Sequence, residues 1–171
     1  LEARVDQHPN RLALRLDVIE RQGLPDALLS AYLTLARMAE HEGRHDKAFS
    51  LLEELRAHGV NRRMPRLHFA AQCEMVRQHA RAGRGETADA LVRQLSANFA
   101  AQHDQFPKSF LPWLELHLEL SKVHAALAHQ GADHMLGALQ DMDRAAGLAA
   151  TLNRGWEVVE IRMLRSLILE R

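Results

Sequence analysis

The sequence predicts an all-α protein, on the evidence of its composition, its chain breaks and its hydrophobic periodicity. The 171 residues include 28 Leu and 26 Ala, whereas Val, Ile and Thr together number 14. Leu and Ala favour helices, and β-branched residues favour strands. Gly and Pro divide the chain into stretches of helical length, in which apolar residues recur at i, i+3, i+4 and i+7. The sequence has no sustained alternation of apolar and polar residues, which is the pattern of a half-buried strand.

About eight helices are predicted in chain order, because Pro and Gly mark where helices begin and end. Their approximate ranges are 9–22, 26–42, 46–58, 66–82, 86–101, 113–130, 132–153 and from just after 155 to the end. The second stretch carries an apolar stripe that includes Leu28, Tyr32 and Leu35, and the sixth carries one that includes Leu116 and Leu120. Each stripe lies on one side of its helix and predicts a packed face.

Composition and charge exclude several classes of protein. Hydrophobic residues make up 47% and charged residues 26% of the chain, which excludes a disordered segment. Lys+Arg and Asp+Glu both number 22, so the basic excess of a nucleic-acid-binding protein is missing and no direct nucleic-acid binding is expected. Cys73 is the only cysteine, which excludes an internal disulfide and favours a reducing, cytoplasmic compartment. No apolar run approaches the roughly 20 residues that cross a bilayer, so no membrane partner is expected.

Two segments that lie forty residues apart share the layout of a tetratricopeptide repeat (TPR). The first reads Tyr-x2-Leu-Ala-x2-Ala-x3-Gly-x4-Ala-x3-Leu over 32–52, and Gly83-x4-Ala88-x3-Val92 repeats its second half. Small residues at these places let antiparallel helices approach closely. We therefore predict a TPR-like superhelical array of antiparallel helix hairpins (an α-α superhelix) that forms a single domain over 1–171. An ordinary helical bundle with accidental spacing is the alternative.

If the repeats are aligned in this way, the first and last helices are each one half of a helix hairpin. This predicts that the chain is a fragment of a larger multidomain protein. Interior repeats bury their faces on neighbouring repeats. Five apolar residues of the last helix then need a partner: Val158, Ile161, Leu164, Leu167 and Ile168. We expect this helix to fold back or to form a homodimer through the terminal helices.

The segments from Leu24 to Leu55 and from Ala146 to Glu170 resemble the helical-repeat sensor segment of large ATP-binding LuxR-type (MalT-like) bacterial transcriptional regulators. The resemblance implies a non-catalytic sensor and interaction domain that binds a small-molecule inducer or a protein partner and controls self-association. It also implies an ATPase domain and a helix-turn-helix domain elsewhere in the parent chain. This sequence contains no Gly-x4-Gly-Lys-[Ser/Thr] motif, so no nucleotide cofactor is expected.

Two other functions are consistent with the sequence. A general TPR scaffold, such as a chaperone-like adaptor, would bind a peptide in the same groove. A zinc hydrolase would use His41-Glu42-Gly43-Arg44-His45, which matches the His-Glu-x-x-His signature. That signature needs both histidines on one face of one helix, whereas the repeat register places a turn at Gly43. We therefore predict no enzymatic activity, no catalytic residue and no metal.

The candidate ligand site is the concave groove that the first helix of each hairpin would line. The chain has 19 Arg and 3 Lys, and Arg recognises carboxylates, phosphates and polar ligands through paired donors. The register places Arg37 and Glu40 in the groove from one repeat, and Arg77 and Arg81 from the next. We predict that these four residues hold a polar or anionic ligand. The alternative is that the arginines are solvated or paired with acidic residues, namely Glu40 and Glu74. The same groove register includes Leu33, His41, Cys73, Ser121, Ala125 and His129.

Eleven histidines are many for a chain of this length. The positions of His117, His124, His129 and His134 allow a metal or pH-sensing cluster, although we favour a role as surface or groove residues. A solvated loop is predicted for residues 62–66, which carry three arginines.

Overall fold

A computed structural model describes residues 12–129 and 132–170, with side chains at all of these positions except 132 and 133. Every regular element in these ranges is a helix, which confirms the all-α prediction. The α-helices are α1 (Leu16–Gln22), α2 (Pro25–His41), α3 (His45–Asn61), α4 (Pro65–Arg81), α5 (Gly85–Gln102), α6 (Leu111–Leu127), α7 (Ala132–Thr151) and α8 (Gly155–Leu169). A short 3-10 helix at His103–Gln105 follows α5. The predicted helix start at Pro9 and the predicted turn at Gly131 lie outside the described residues.

A three-residue turn recurs along the chain at a spacing of twenty residues. Its central residue has a positive φ at Gly43 (74°), Arg63 (55°) and Gly83 (71°), and Gly23 (66°) continues this spacing toward the N-terminus. A turn of the same kind joins α7 to α8, where Asn153 has a φ of 53°. Helices α2, α3 and α4 are each 17 residues long, so one helix and one turn together make twenty residues. Two such steps make forty, which is the offset that the sequence shows.

Hydrogen bonds show that these turns are equivalent. The residue after the left-handed position donates its backbone N–H to the carbonyl five residues earlier. Arg44 donates to Ala39 over 2.8 Å, and Arg84 donates to His79 over 2.9 Å. This arrangement is the Schellman motif, which satisfies carbonyls that the last helical turn leaves unpaired. Because each motif ends one helix and reverses the chain, consecutive helices become antiparallel neighbours.

The predicted helix end at Gly59 is wrong, because α3 continues through this residue to Asn61. Gly59 is buried, and a Cβ placed on it would lie 2.5 Å from the backbone nitrogen of His68. The glycine therefore serves the close approach of α3 and α4 and does not cap the helix. The turn follows instead at Arg63, a residue that the sequence does not mark as left-handed.

The chain divides into two compact units, and the boundary between Ala71 and Gln72 falls within α4. In unit 1, which runs up to Ala71, α2 packs against α3 and α1 contacts α2. The buried apolar side chains of α2 and α3 form its core: Leu28, Leu29, Ala31, Tyr32, Leu35, Ala36, Ala39, Ala48, Leu51, Leu52 and Leu55. The assignment of one domain to 1–171 stays a prediction.

Unit 2 begins at Gln72 and contains two apolar clusters. The smaller joins α4, α5 and α6 through Val76, Ala88 and Ala125. The larger joins α6, α7 and α8: Leu116, Leu120, Val123, Ala138, Met142, Ala145, Ala149, Ile161, Leu164 and Ile168. Within the described ranges, no helix has the length and apolar content that crossing a membrane requires.

The sequence indicated five apolar residues of α8 that need a packing partner. Three of them are buried inside unit 2. Ile161, Leu164 and Ile168 pack in the larger cluster, and Val158 is partly buried against it. Leu167 is exposed. Helix α8 therefore packs against its own chain, as the fold-back alternative predicts. The apolar side chains of α8 that stay exposed lie on a different face of the helix.

Candidate functional site

The structure places the four predicted groove residues on α2 and α4. Arg37 is exposed and Glu40 half-buried on α2 in unit 1, one helical turn apart. Arg77 is half-buried and Arg81 exposed on α4 in unit 2, again one turn apart. Arg77 is paired with Glu74, since its Nε donates to Glu74 Oε1 over 2.7 Å. The pairing that the sequence allowed as the alternative is therefore present for Arg77.

Unit 2 contains a buried strip of polar side chains that the sequence register identified only in part. We define the polar strip as Cys73, Glu74 and Gln78 of α4 together with Ser121 of α6. Burial raises the pKa of the Cys73 thiol, and Ser121 lies close enough to lower it in part, so the strip spans the contact between the two helices. The Ser121 hydroxyl itself donates to the His117 carbonyl over 2.8 Å. Polar groups in such surroundings are costly unless they are paired. The strip is therefore a candidate site in unit 2.

Glu74 of the polar strip forms an ion pair with Arg77 that is shielded from water. The side chains of Arg77 and Glu74 are 11% and 5% exposed. A guanidinium that faces a carboxylate in such surroundings forms a strong, charge-assisted hydrogen bond. The pair therefore places a fixed dipole at the polar strip, and neither of the two charges is isolated in the protein interior.

Gln78 supplies a donor that the protein does not use. Its side chain is 3% exposed, and its Nε2 has no hydrogen-bond partner among the described residues. A buried amide donor without a partner costs roughly 1–3 kcal/mol. A carbonyl, carboxylate or hydroxyl oxygen of a ligand is the group that would satisfy it.

Cys73 does not have the character of a catalytic nucleophile. Burial raises the pKa of its thiol to about 12, and the nearby Ser121 hydroxyl offsets only part of this rise. The thiolate is the reactive form of cysteine, so the buried thiol is inert at neutral pH. Within the polar strip Cys73 acts as a small side chain that packs and donates weakly.

The His-Glu-x-x-His match is split between two helices. His41 is the last residue of α2, His45 is the first residue of α3, and Gly43 lies in the left-handed turn between them. The two imidazoles therefore do not share one helical face, as the register predicted. In the part of the chain that the structure describes, no three His, Cys, Asp or Glu side chains are grouped so that they could hold a metal ion.

His117 and His124 of α6, His129 just after α6 and His134 of α7 each have a close neighbour. The ring of His117 lies 4.2 Å from that of Trp113, and His124 Nε2 lies 3.1 Å from Glu160 Oε1. The rings of His129 and His134 are stacked with their centroids 4.5 Å apart. These contacts separate the four histidines into distinct pairs, and His117 and His124 do not converge on one ligand.

A second polar cluster fixes α6 to α7. Glu119 accepts from Lys122 Nζ over 2.7 Å and from Arg144 Nε over 2.9 Å. Asp141 lies beside them, and burial together with the negative charge of Glu119 raises the pKa of its carboxyl group. All four groups have partners within the cluster, so its role is structural.

Arg62 and Arg63 are exposed, as predicted, whereas Arg66 is half-buried and belongs to α4; Arg62 and Arg66 also bind neighbouring segments. Arg62 donates from Nη2 to the Glu20 carbonyl over 2.9 Å, at the end of α1. Arg66 donates to Asp26 over 2.6 Å, at the start of α2. Arg63 occupies the left-handed position of the turn. These contacts form because the turn between α3 and α4 lies beside the turn between α1 and α2.

A network of polar side chains holds α1 on the hairpin of α2 and α3. Tyr32 donates its hydroxyl to Glu20 Oε1 over 2.6 Å, and His58 Nε2 lies 3.2 Å from the same hydroxyl. Burial and the adjacent Glu20 carboxylate raise the pKa of Tyr32 far above its ordinary value. The phenol therefore stays protonated and works as a donor.

From the sequence, Glu74 was predicted only as an acidic partner of an arginine, and Gln78 was not predicted as a site residue. A signal for both exists in the forty-residue offset, which aligns Glu74 with Thr34 and Gln78 with Met38. The second repeat therefore carries longer polar groups where the first has a small hydroxyl or an apolar side chain. Their burial depends on packing against neighbouring helices, which a periodicity along one helix does not specify.

Comparison with known proteins adds no relative to this description. No family model matches the sequence, and no significant similarity to curated proteins or to solved structures was found. The resemblance to LuxR-type regulators therefore stays a prediction from the residues.

Proposed function

We propose that this chain is a non-catalytic sensor domain of a LuxR-type (MalT-like) transcriptional regulator in the cytoplasm. It binds a small polar inducer at the polar strip, and binding biases an equilibrium between resting and self-associated forms. The observation that carries the proposal is the unsatisfied Gln78 amide beside the buried Arg77–Glu74 pair. An apolar side chain of similar size would be more stable there in the absence of a ligand. His68 also has a buried nitrogen without a partner, but His68 is only half-buried, whereas Gln78 is fully buried.

The chemistry of the polar strip defines the class of ligand. Gln78 Nε2 donates, Glu74 accepts, and the Arg77 guanidinium favours oxygen ligands with negative or partial negative charge. A sugar, an amino acid or an aromatic acid carries such oxygens together with apolar parts that suit the neighbouring apolar side chains. Arg81, one turn further along α4, extends the same chemistry toward solvent.

A thermal-shift screen of the whole chain against sugars, oligosaccharides, amino acids and aromatic acids tests the proposal. A ligand present at one hundred times its Kd adds about 2.7 kcal/mol to the stability. For a chain of this size, that gain raises Tm by roughly 5–10 °C. We expect the shift to be lost in Gln78→Leu and reduced in Arg77→Ala. Arg93→Ala, which alters an exposed arginine of α5, is the matched control and should keep the full shift.

Two results would argue against the proposal. A ligand that stabilises Gln78→Leu as much as the unaltered chain binds elsewhere, which removes the polar strip from the site. Failure of all small molecules, together with saturable binding of extended peptides, would indicate the general TPR scaffold or chaperone-like adaptor instead.

A further inference from the structure

Helix α1 is held on unit 1 mainly by polar contacts. None of its seven side chains is buried, whereas α2 buries seven of its 17. Leu16 and Ile19 are half-buried and Val18 is exposed, so α1 covers little apolar surface. Isolated helices shorter than roughly 12–15 residues are marginal in water. Helix α1 therefore depends on the few side chains that join it to α2 and α3.

Glu20 is the centre of these contacts. The Tyr32 hydroxyl donates to Glu20 Oε1 over 2.6 Å, and Arg62 Nη2 donates to the Glu20 carbonyl over 2.9 Å. His58 Nε2 lies 3.9 Å from Glu20 Oε1. We call Glu20, Tyr32 and His58 the latch. A hydrogen bond to a carboxylate is stronger than one between neutral groups, so this one carboxylate supplies much of the attachment of α1.

A second carboxylate competes for the same hydroxyl. Burial raises the pKa of the Tyr32 phenol, and the carboxylates of Glu20 and Glu54 both add to this rise, so both lie close to the hydroxyl. Glu54 is an exposed residue of α3 whose Oε1 also accepts from Ser50 over 3.2 Å. A phenol has one proton to donate, so it bonds to one of the two carboxylates at a time. In this structure the acceptor at 2.6 Å is Glu20.

The hairpin of α2 and α3 does not need α1 for its core. In the described part of unit 1, the buried side chains belong to α2, α3 and α4, and none belongs to α1. Tyr32 is 1% exposed and its ring lies 5.6 Å from that of His58, so the hairpin itself fixes its position. With Glu54 as the acceptor, the hydroxyl keeps a partner while the Glu20 carboxylate returns to water. Departure of α1 therefore strands no buried polar group of the latch.

We propose that α1 is a releasable strap on unit 1, closed when the Tyr32 hydroxyl bonds to Glu20 and open when it bonds to Glu54. The open form uncovers the side of α2 that α1 contacts, and helical repeats use such sides to pack on neighbouring hairpins. Local opening of this kind costs less free energy than global unfolding. The strap concerns unit 1 alone, so this inference goes beyond the ligand site proposed in unit 2 and does not depend on it.

Hydrogen exchange followed by mass spectrometry measures the opening of α1 in the whole chain. Peptides over 16–23 report α1, in which the Gly23 N–H donates to the Ile19 carbonyl over 3.0 Å, and peptides over 25–41 report α2. We expect α1 to exchange at least about tenfold faster than α2, because opening leaves the core intact. Tyr32→Phe removes the donor of the latch and should speed the exchange of α1 about tenfold further.

Variants of two glutamates distinguish a competing acceptor from a merely structural contact. Glu20→Ala should speed the exchange of α1 about tenfold, because the closed form loses its acceptor. Glu54→Ala should slow it about threefold, because the closed form loses its competitor. This slowing should largely disappear when Tyr32 is also changed to Phe, since Glu54 acts through the hydroxyl. Glu53→Ala is the matched control, because this neighbouring exposed glutamate pairs with Arg56, and it should leave the exchange of α1 unchanged.

Two results would overturn the strap. One is an α1 that exchanges as slowly as α2 in the unaltered chain. The other is a Glu54→Ala chain in which α1 exchanges as fast as in the unaltered chain, or faster. Glu20 and Glu54 lie outside the buried core, so the peptides of α2 should stay protected in both variants and show that the hairpin remains folded.

Discussion

The two units of the chain have cores of different chemical character. The described buried side chains of unit 1 are apolar apart from the Tyr32 hydroxyl, which donates to Glu20. Unit 2 buries four polar residues: Glu74, Gln78, Glu119 and Ser121. Both units contain antiparallel helices joined by left-handed turns, although the helices of unit 2 vary from 15 to 20 residues in length. The clearest difference between the cores therefore lies in the side chains.

This difference indicates a division of roles between the units. An apolar core stabilises a fold with little chemical specificity, whereas buried polar groups reduce stability unless every donor and acceptor is satisfied. The polar strip of unit 2 includes Gln78, whose buried Nε2 has no hydrogen-bond partner among the described residues, and the buried Nδ1 of His68 in unit 1 likewise has none. Under the proposed function, unit 2 binds the ligand through the polar strip and unit 1 is the scaffold.

The largest expected effect comes from the closest backbone approach in unit 1. Gly59→Ala should lower the free energy of unfolding by about 3 kcal/mol, because the new Cβ would meet the backbone of α4 and the helices must separate. Urea denaturation measures the change. Gly137→Ala is the control, since this exposed helical glycine in unit 2 has nothing within 4 Å and should gain about 0.5–1 kcal/mol. A Gly59→Ala chain as stable as the unaltered one would contradict the close approach.

Loss of one partner of the ion pair in unit 2 should have the next largest effect. Glu74→Leu should lower the free energy of unfolding by about 2 kcal/mol, because the Arg77 charge stays shielded from water without its carboxylate. The double variant Glu74→Leu with Arg77→Leu should recover most of that loss. Thr34→Leu, at the matching exposed position in unit 1, should change the stability by less than about 0.5 kcal/mol. Equal losses of stability in the Glu74 and Thr34 variants would contradict the difference between the units.

Substitutions at equivalent positions of the repeated turns should change the stability in opposite directions. Gly43→Ala should cost about 1 kcal/mol, because a side chain is strained at a φ of 74°. Arg63→Gly should gain up to about 1 kcal/mol, because it relieves the same strain at a φ of 55°. Thermal unfolding of the two single variants measures both effects. Changes of the same sign would mean that the two turns are not equivalent.

The smallest expected effect concerns a property that both units share, namely a histidine whose burial lowers its pKa. Burial, followed by the positive charge of Arg56, lowers the pKa of His68 in unit 1, and burial and Arg84 do the same for His79 in unit 2. Above pH 7 both residues are neutral in the folded and unfolded chains. As the pH falls through the unfolded-state pKa of about 6.5, the unfolded chain takes up protons first, so stability is lost.

We therefore expect Tm to fall between pH 7.5 and pH 5.5, and to fall less in His68→Leu than in the unaltered chain. Arg56→Gln should give a smaller reduction of the same kind, because it removes only the repulsive charge. An identical pH dependence in all three chains would show that His68 does not couple protonation to folding.

The sequence predicted the helices well because helix boundaries depend on local chemistry. Pro25 and Gly43 mark the start and end of α2 within one or two residues. It failed where a glycine had a tertiary role, since Gly59 looks like a helix end but lies inside α3 at a contact. It also missed the turn at Arg63, because no residue type there indicates a left-handed backbone.

The candidate site was predicted only in part, for a similar reason. The forty-residue offset placed Arg77 and Arg81 on one helix, since periodicity alone assigns residues to a face. It could not show that Arg77 is held by Glu74 or that Gln78 lacks a partner, because both facts depend on which side chains α6 brings against α4. In the same way, the apolar residues of α8 were visible in the sequence, but only packing decides which of its two faces is covered.

By itself, then, the sequence determined the all-α class, most of the helix boundaries and the forty-residue repeat of the hairpin, because these follow from local propensity and periodicity. The tertiary structure decided the role of Gly59, the burial of the polar strip and which face of α8 is covered. The physical reason is that burial and hydrogen-bond pairing are properties of contacts between segments distant in the chain, which no local pattern specifies.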